Sequence, residues 1–207
     1  MLVRDGAPLD KATVAAVLLH GRGQSAAYMQ AHLVAPLRRP RVAYLLPQAP
    51  GGSWYPGRFA VPLEQLEPEL SAALAAVAEA VRTARAGPAA VVLAGFSQGA
   101  CLVAELLARE GDLGLVGAAV LTGALIGPRG SPGEVRRLEV SLGGLSVEMV
   151  SSEHDEWVGP EYVRATARSL ADAGADVHLH MTTEPEHRID EVALAAVAGL
   201  LDAATRR

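Results

Sequence analysis

The string Gly95-Phe96-Ser97-Gln98-Gly99 follows directly on the apolar run Ala89-Ala90-Val91-Val92-Leu93-Ala94. After it, the stretch from Gln98 to Glu110 has no proline and no glycine beyond Gly99, as a helix requires. A Gly-x-Ser-x-Gly turn between a buried strand and a helix exposes a serine hydroxyl as a nucleophile. The glycines remove side chains that would clash where the backbone turns sharply. Ser97 then sits at the positive end of a helix dipole, which favours negative charge on a reacting oxygen. A serine hydroxyl also needs a base, and the base an orienting acid; where a Gly-x-Ser-x-Gly turn carries the serine, the partners usually follow in the chain order acid, histidine. Ser152-Glu153-His154-Asp155-Glu156-Trp157 and Thr182-Thr183-Glu184-Pro185-Glu186-His187 each follow an apolar strand pattern. Active sites of open α/β sheets lie at such carboxyl ends. His187 is the candidate base. Asp155 is the preferred acid over Glu153 and Glu156, because Trp157-Val158-Gly159-Pro160 reads as an apolar anchor that would help bury it.

Negative charge developing on a carbonyl oxygen needs backbone donors. One is expected from Gln98 and another from the loop His20-Gly21-Arg22-Gly23-Gln24-Ser25, which follows the first central strand. That loop has no third glycine at dinucleotide spacing and no Gly-Lys-Ser/Thr, so it does not read as a phosphate cradle. His20 is expected to hold the loop in place, and Cys101, one helical turn beyond Ser97, to pack in the core. His178 and His180 read as solvent-facing strand residues. No residue cluster has the spacing of a zinc site, and no metal or other cofactor is expected. Aromatics make up only 4% of the chain, yet Trp54, Tyr55 and Phe59 fall within one loop, Phe96 adjoins Ser97, and Trp157 follows Asp155. Together they suggest an apolar acyl or aryl pocket.

The elements that would position these residues alternate. Segments 14–20, 42–46, 89–95, 117–122, 146–151 and 177–181 read as strands. Most are continuously apolar, as in a parallel sheet covered on both faces. Between them, Leu70, Leu74, Val77 and Val81 recur at helical spacing after Pro68 and stop at Gly87-Pro88. Val163, Ala167 and Leu170 recur between Pro160 and Gly174, and a final helix carries the stripe Ile189, Val192, Ala196, Val197 and Leu200. The expected architecture is a doubly wound α/β fold of one domain spanning 1–207, with a mostly parallel sheet of six to seven strands and helices on both faces. Segment 125–145, rich in Gly, Pro and Arg, reads as a mobile surface insertion. No segment is long enough for a large lid.

The chain has 207 residues, half of them hydrophobic, and a formal net charge of −5, which gives no electrostatic reason to bind nucleic acid. The single cysteine forms no internal disulfide, no secretory leader is visible, and no apolar run spans a bilayer, so a cytoplasmic location without stable membrane insertion is expected. A homodimer is left open.

On these motifs the chain resembles the phospholipase/carboxylesterase family of α/β-hydrolases, which includes acyl-protein thioesterases and small bacterial carboxylesterases. The resemblance rests on Leu18-Leu19-His20-Gly21-Arg22-Gly23-Gln24, Leu46-Pro47-Gln48-Ala49-Pro50 with Ser53-Trp54-Tyr55, Gly95-Phe96-Ser97-Gln98-Gly99-Ala100, His154-Asp155, and Glu186-His187-Arg188-Ile189. It implies Ser97 as nucleophile, Asp155 as acid, His187 as base, and the backbone amides of Arg22 and Gln98 as oxyanion donors. Departures are Glu186 where glycine often precedes the histidine, the shifted Gly159-Pro160, and Arg22 where an apolar residue is common. The implied function is a serine hydrolase acting on small carboxylic esters or thioesters. Two alternatives are a lactone-opening enzyme of dienelactone-hydrolase type, which usually carries a cysteine nucleophile, and a catalytically silent binding module, which would show a broken triad.

Overall fold

The computed structural model describes residues 1–127 and 133–206. A seven-stranded sheet runs in the order β1-β3-β2-β4-β5-β6-β7. The strands are β1 (Leu2–Gly6), β2 (Val14–Leu19), β3 (Val42–Pro47), β4 (Ala90–Phe96), β5 (Gly117–Leu121), β6 (Ser146–Ser152) and β7 (Asp176–Thr182). All pairings are parallel except β1 with β3. The helices are α1 (Ala26–Met29), continued by a wider turn over Gln30–Val34, then α2 (Glu69–Arg85), α3 (Gln98–Glu110), α4 (Pro160–Asp172) and α5 (Glu191–Thr205).

The continuous apolar strands feed two cores at once, because successive side chains point to opposite faces. Ala15, Val17, Leu93, Val120 and Met149 pack against α2, α3 and α4. Their neighbours Ala16, Leu18, Val92, Leu121 and Val150 pack against α1 and α5. The parallel strands therefore all present their carboxyl ends at one edge of the sheet, where the loops carrying Arg22, Ser97, Asp155 and His187 emerge.

Three readings of the sequence are corrected. Strand β1 was not expected, since Arg4 and Asp5 interrupt it. It is a half-buried antiparallel edge strand, and Gly6 ends it where an added Cβ would meet the Val42 carbonyl oxygen at 2.3 Å. The buried stripe of α5 is Ala193, Val197, Leu200, Leu201 and Ala204, and Val192 is 37% exposed. This helix is apolar almost all round, so its phase is fixed instead by its start, where Asp190 Oδ1 accepts from the Ala193 N–H at 2.8 Å.

The third correction concerns segment 125–145. Residues 128–132 lie outside the described residues; most of 134–144 is exposed, but the two ends of the segment are packed, with Leu125, Ile126, Leu142 and Leu145 buried. Its tether is the Glu105 carboxylate on α3, whose side chain is 1% exposed. Glu105 accepts from Arg136 at 2.9 Å, Arg109 at 2.7 Å and the Ile126 N–H at 3.2 Å. Removing one partner of a buried ion pair leaves the others without compensation. Glu105→Gln is expected to lower the unfolding free energy by about 2–4 kcal/mol, below the upper range for a buried pair because both arginines still reach water. The denaturant midpoint measures this, and an unchanged midpoint would show the tether to be dispensable.

Candidate active site

Ser97 stands between β4 and α3 with φ 54° and ψ −117°, a left-handed conformation that marks a sharp turn. Two glycines make the turn possible. A Cβ on Gly95 would lie 2.3 Å from the Gly99 carbonyl oxygen, and one on Gly99 would lie 2.5 Å from that of Leu19. The Ser97 N–H is anchored on the Leu121 carbonyl at 2.9 Å, and the Cys101 N–H caps the Ser97 carbonyl at 3.0 Å.

Loops after β6 and β7 bring the other groups to it. His187 Nε2 lies 2.8 Å from Ser97 Oγ, and His187 Nδ1 lies 2.9 Å from Asp155 Oδ2. With its Nδ1–H donated to the carboxylate, His187 leaves Nε2 to accept from the serine hydroxyl. Asp155 Oδ1 in turn accepts from the backbone N–H groups of Trp157 at 2.8 Å and Val158 at 3.0 Å. The Asp155 side chain is only 1% exposed. Burial works against its charge, but the bonds from His187 and the two backbone amides outweigh this and hold the carboxyl below the usual range. Glu153 is engaged instead by Arg164, and Glu156 is exposed. The expected anchor is shifted by one residue: Val158 is buried, whereas Trp157 is 65% exposed.

The loop after β2 packs beside the serine, since a Cβ on Gly21 would stand 3.1 Å from Ser97 Cβ. His20 is fully buried beneath it. Its Nδ1–H donates to the Gly21 carbonyl at 2.8 Å, and its Nε2 accepts from the Ala49 N–H at 3.1 Å. Burial pushes the imidazole toward its neutral form, as this bonding requires. The Gly21 N–H donates to Gln24 Oε1 at 2.9 Å, and the Gly23 N–H to the Gly52 carbonyl at 2.8 Å. Among the described residues, the backbone N–H groups of Arg22 and Gln98 have no protein acceptor. Both residues line the cavity that contains Ser97.

That cavity holds about 370 Å³ and is walled by Tyr55, Phe59, Phe96, Trp157, Val158 and His187 among others. Trp54 is not on its wall, which corrects the pocket drawn from sequence. Its indole Nε1–H donates to the His20 carbonyl at 2.8 Å and its backbone N–H to Gln98 Oε1 at 3.0 Å. It borders instead a separate apolar cavity against α2. A larger cavity of about 730 Å³ lies beside β1 and contains none of Ser97, Asp155 and His187. Trp54→Phe, which removes the indole donor while keeping an aromatic ring, is expected to lower kcat for aryl esters about 5- to 10-fold, the worth of roughly one hydrogen bond. The kcat/KM ratio between acetyl and octanoyl esters should not change; a changed ratio would return Trp54 to the acyl pocket.

Sequence reasoning missed the side chain of Gln98. Besides accepting from Trp54, it donates through Nε2 to the Tyr55 carbonyl at 2.8 Å, clamping the aromatic loop onto the start of α3. It also missed Arg58 on the cavity wall, whose Nη2 donates to the Trp157 carbonyl at 2.9 Å. Cys101 is buried at the cavity floor, and burial pushes its thiol up to about 11. His178 and His180 keep a wet face on β7, where both contact Glu148. Among the described residues no cluster is arranged to hold a metal ion, and no helix is long and apolar enough to cross a membrane. No helical lid covers the cavity among them.

Comparison with known proteins bears on the fold and the family. A phospholipase/carboxylesterase from Dyadobacter fermentans superposes with a TM-score of 0.82 at 30% identity, over 97% of this chain and 95% of that one. A Bacillus cereus carboxylesterase gives 0.72 at 21% identity, over 98% and 93%. A Mesorhizobium loti carboxylesterase gives 0.67 at 23%, over 93% and 90%. A comparison with curated proteins returned no match. The model of the Phospholipase/Carboxylesterase family matches residues 6–204. With the α/β-hydrolase sheet and nearly the whole chain matched, the protein belongs to the phospholipase/carboxylesterase family and is a carboxylic ester hydrolase.

Proposed function

We propose that the protein cleaves small carboxylic esters or thioesters through an acyl-enzyme on Ser97. The observation that carries this reading is the line of hydrogen bonds from Ser97 Oγ through His187 to Asp155, at 2.8 and 2.9 Å. Ser97 Oγ attacks the acyl carbonyl carbon as its proton passes to His187 Nε2, giving a tetrahedral oxyanion. The N–H groups of Arg22 and Gln98 receive that oxyanion, with the α3 dipole behind Gln98. The intermediate collapses as His187 returns the proton to the departing alcohol or thiol. Water then attacks the acyl-enzyme by the same route, releasing the carboxylic acid and restoring the serine. Asp155 stays ionised throughout and holds the imidazole in its working tautomer.

The aromatic wall suits an apolar acyl or aryl group, and the cavity volume suits a short or slender one. The lactone-opening alternative would favour a cysteine nucleophile. Cys101 is buried one turn away with its thiol held protonated, which speaks against it. The silent-module alternative needs a broken triad, and these three side chains form a continuous hydrogen-bonded line. A fluorophosphonate probe separates the readings. It should label the wild-type protein and not Ser97→Ala, and the wild type should hydrolyse a series of aryl esters. A folded wild-type protein that neither labels nor turns over would overturn the proposal.

A further inference from the structure

We propose that the substrate carries a carboxylate, held by Arg22 and Arg58 on the wall of the Ser97 cavity. This deepens the serine-hydrolase reading and rests on it. The two arginines reach the cavity from different loops, one after β2 and one after β3. Neither guanidinium meets a carboxylate among the described residues. Arg22 donates to Ser53 Oγ at 3.2 Å and to the Gly57 carbonyl, with its guanidinium carbon 5.9 Å from the centre of the Tyr55 ring. Arg58 donates to the Trp157 carbonyl. These neutral acceptors fix the position of each guanidinium without cancelling its charge. A guanidinium has five N–H donors, so each keeps several for a ligand.

The chain does not lack acids, having 23 against 18 basic residues. Three of those near the site have other partners, and a fourth, Glu156, faces solvent. Asp155 is bonded by His187 and two amides, Glu153 pairs with Arg164, and Glu186 pairs with Arg188 at 2.8 Å. Glu186 thus meets Arg188 and not Arg22. Among the described residues, no Asp or Glu lines the cavity. A cavity with two cations, apolar aromatics and no acid is electrostatically complementary to an anion next to a hydrophobic acyl or aryl group. Both arginines are exposed, so this attraction is one that dissolved salt should screen.

The carboxylate could sit on the acyl or on the leaving-group side, and two substrate pairs distinguish them. One is the 4-nitrophenyl monoester of adipic acid against the same ester of adipamic acid. The other is 3-carboxyphenyl butanoate against 3-carbamoylphenyl butanoate. Each rate is normalised to hydroxide-catalysed hydrolysis. In at least one pair the acid should exceed the amide in kcat/KM by about tenfold or more, a preference that weakens as salt screens the charges. Arg22→Gln and Arg58→Gln should each reduce that preference severalfold, and Arg58→Lys should recover part of it. If the arginines merely brace the loops, the variants will slow acid and amide alike and leave the ratio unchanged. Hydrolysis of both amides with no acid preference would overturn this proposal and leave the hydrolase reading standing. No hydrolysis of either pair, with Ser97 unlabelled by fluorophosphonate, would overturn both.

Discussion

Ser97→Ala is expected to lower kcat for any accepted ester by ~10⁴-fold or more, with the folded state retained. The substitution removes one oxygen at a half-buried position. The turn around it is set by the glycines at 95 and 99 and by the Ser97 backbone bonds to Leu121 and Cys101, none of which needs the side chain. The left-handed φ of 54° is already borne by a non-glycine residue, so alanine adds no new strain. Circular dichroism and the melting temperature should therefore match wild type while turnover and fluorophosphonate labelling vanish. Activity in a purified, folded Ser97→Ala protein within tenfold of wild type would assign the nucleophile elsewhere.

Asp155→Asn should follow closely, with a loss of ~10³- to 10⁴-fold in kcat. The amide nitrogen of asparagine cannot accept from His187 Nδ1–H, so the ring loses the partner that fixes its tautomer. The other oxygen also receives the Trp157 and Val158 amides, which makes the carboxylate a hub for the loop after β6. Some stability should be lost as well. Because the folded state holds this carboxyl below its usual range, its contribution is present above the unfolded-state value and fades as pH falls through the folded-state one. Asp155→Asn should thus flatten part of the acid limb of the stability curve. Glu153→Gln and Glu156→Gln should change kcat by less than about threefold, since one side chain pairs with Arg164 and the other faces solvent. A larger loss in either of them than in Asp155→Asn would show that the wrong carboxylate had been named.

The parallel strands were legible because burial on both faces leaves an almost unbroken apolar run, and few other structures produce one. Strand β1 was not, since an edge strand with one wet face accepts Arg4 and Asp5 without penalty. The order Ser97, Asp155, His187 could be read from strand ends. The argument for Asp155 leaned on Trp157, however, when the buried neighbour is Val158. Aromatic residues in a loop announce a packed cluster but not its direction, so Trp54 was assigned to the wrong side of the loop. The tether of Glu105 to Arg136 joins positions 31 residues apart, and composition alone made that segment resemble a free surface loop. The clamp formed by Gln98 was hidden because a glutamine next to a nucleophile draws attention to its backbone rather than its side chain.

His20, Gln24, Trp54 and Gln98 bolt the loops on either side of Ser97 together through directional bonds, most of them buried. Such a site is assembled before any ligand arrives. An enzyme built this way has little scope for induced fit, because no loose catalytic part waits for the right substrate to complete it. Discrimination must then lie in the standing shape and charge of the wall. Related chains could change their substrate preference by altering wall residues such as Arg22, Arg58 and Trp157 while the bolted layer beneath stays as it is.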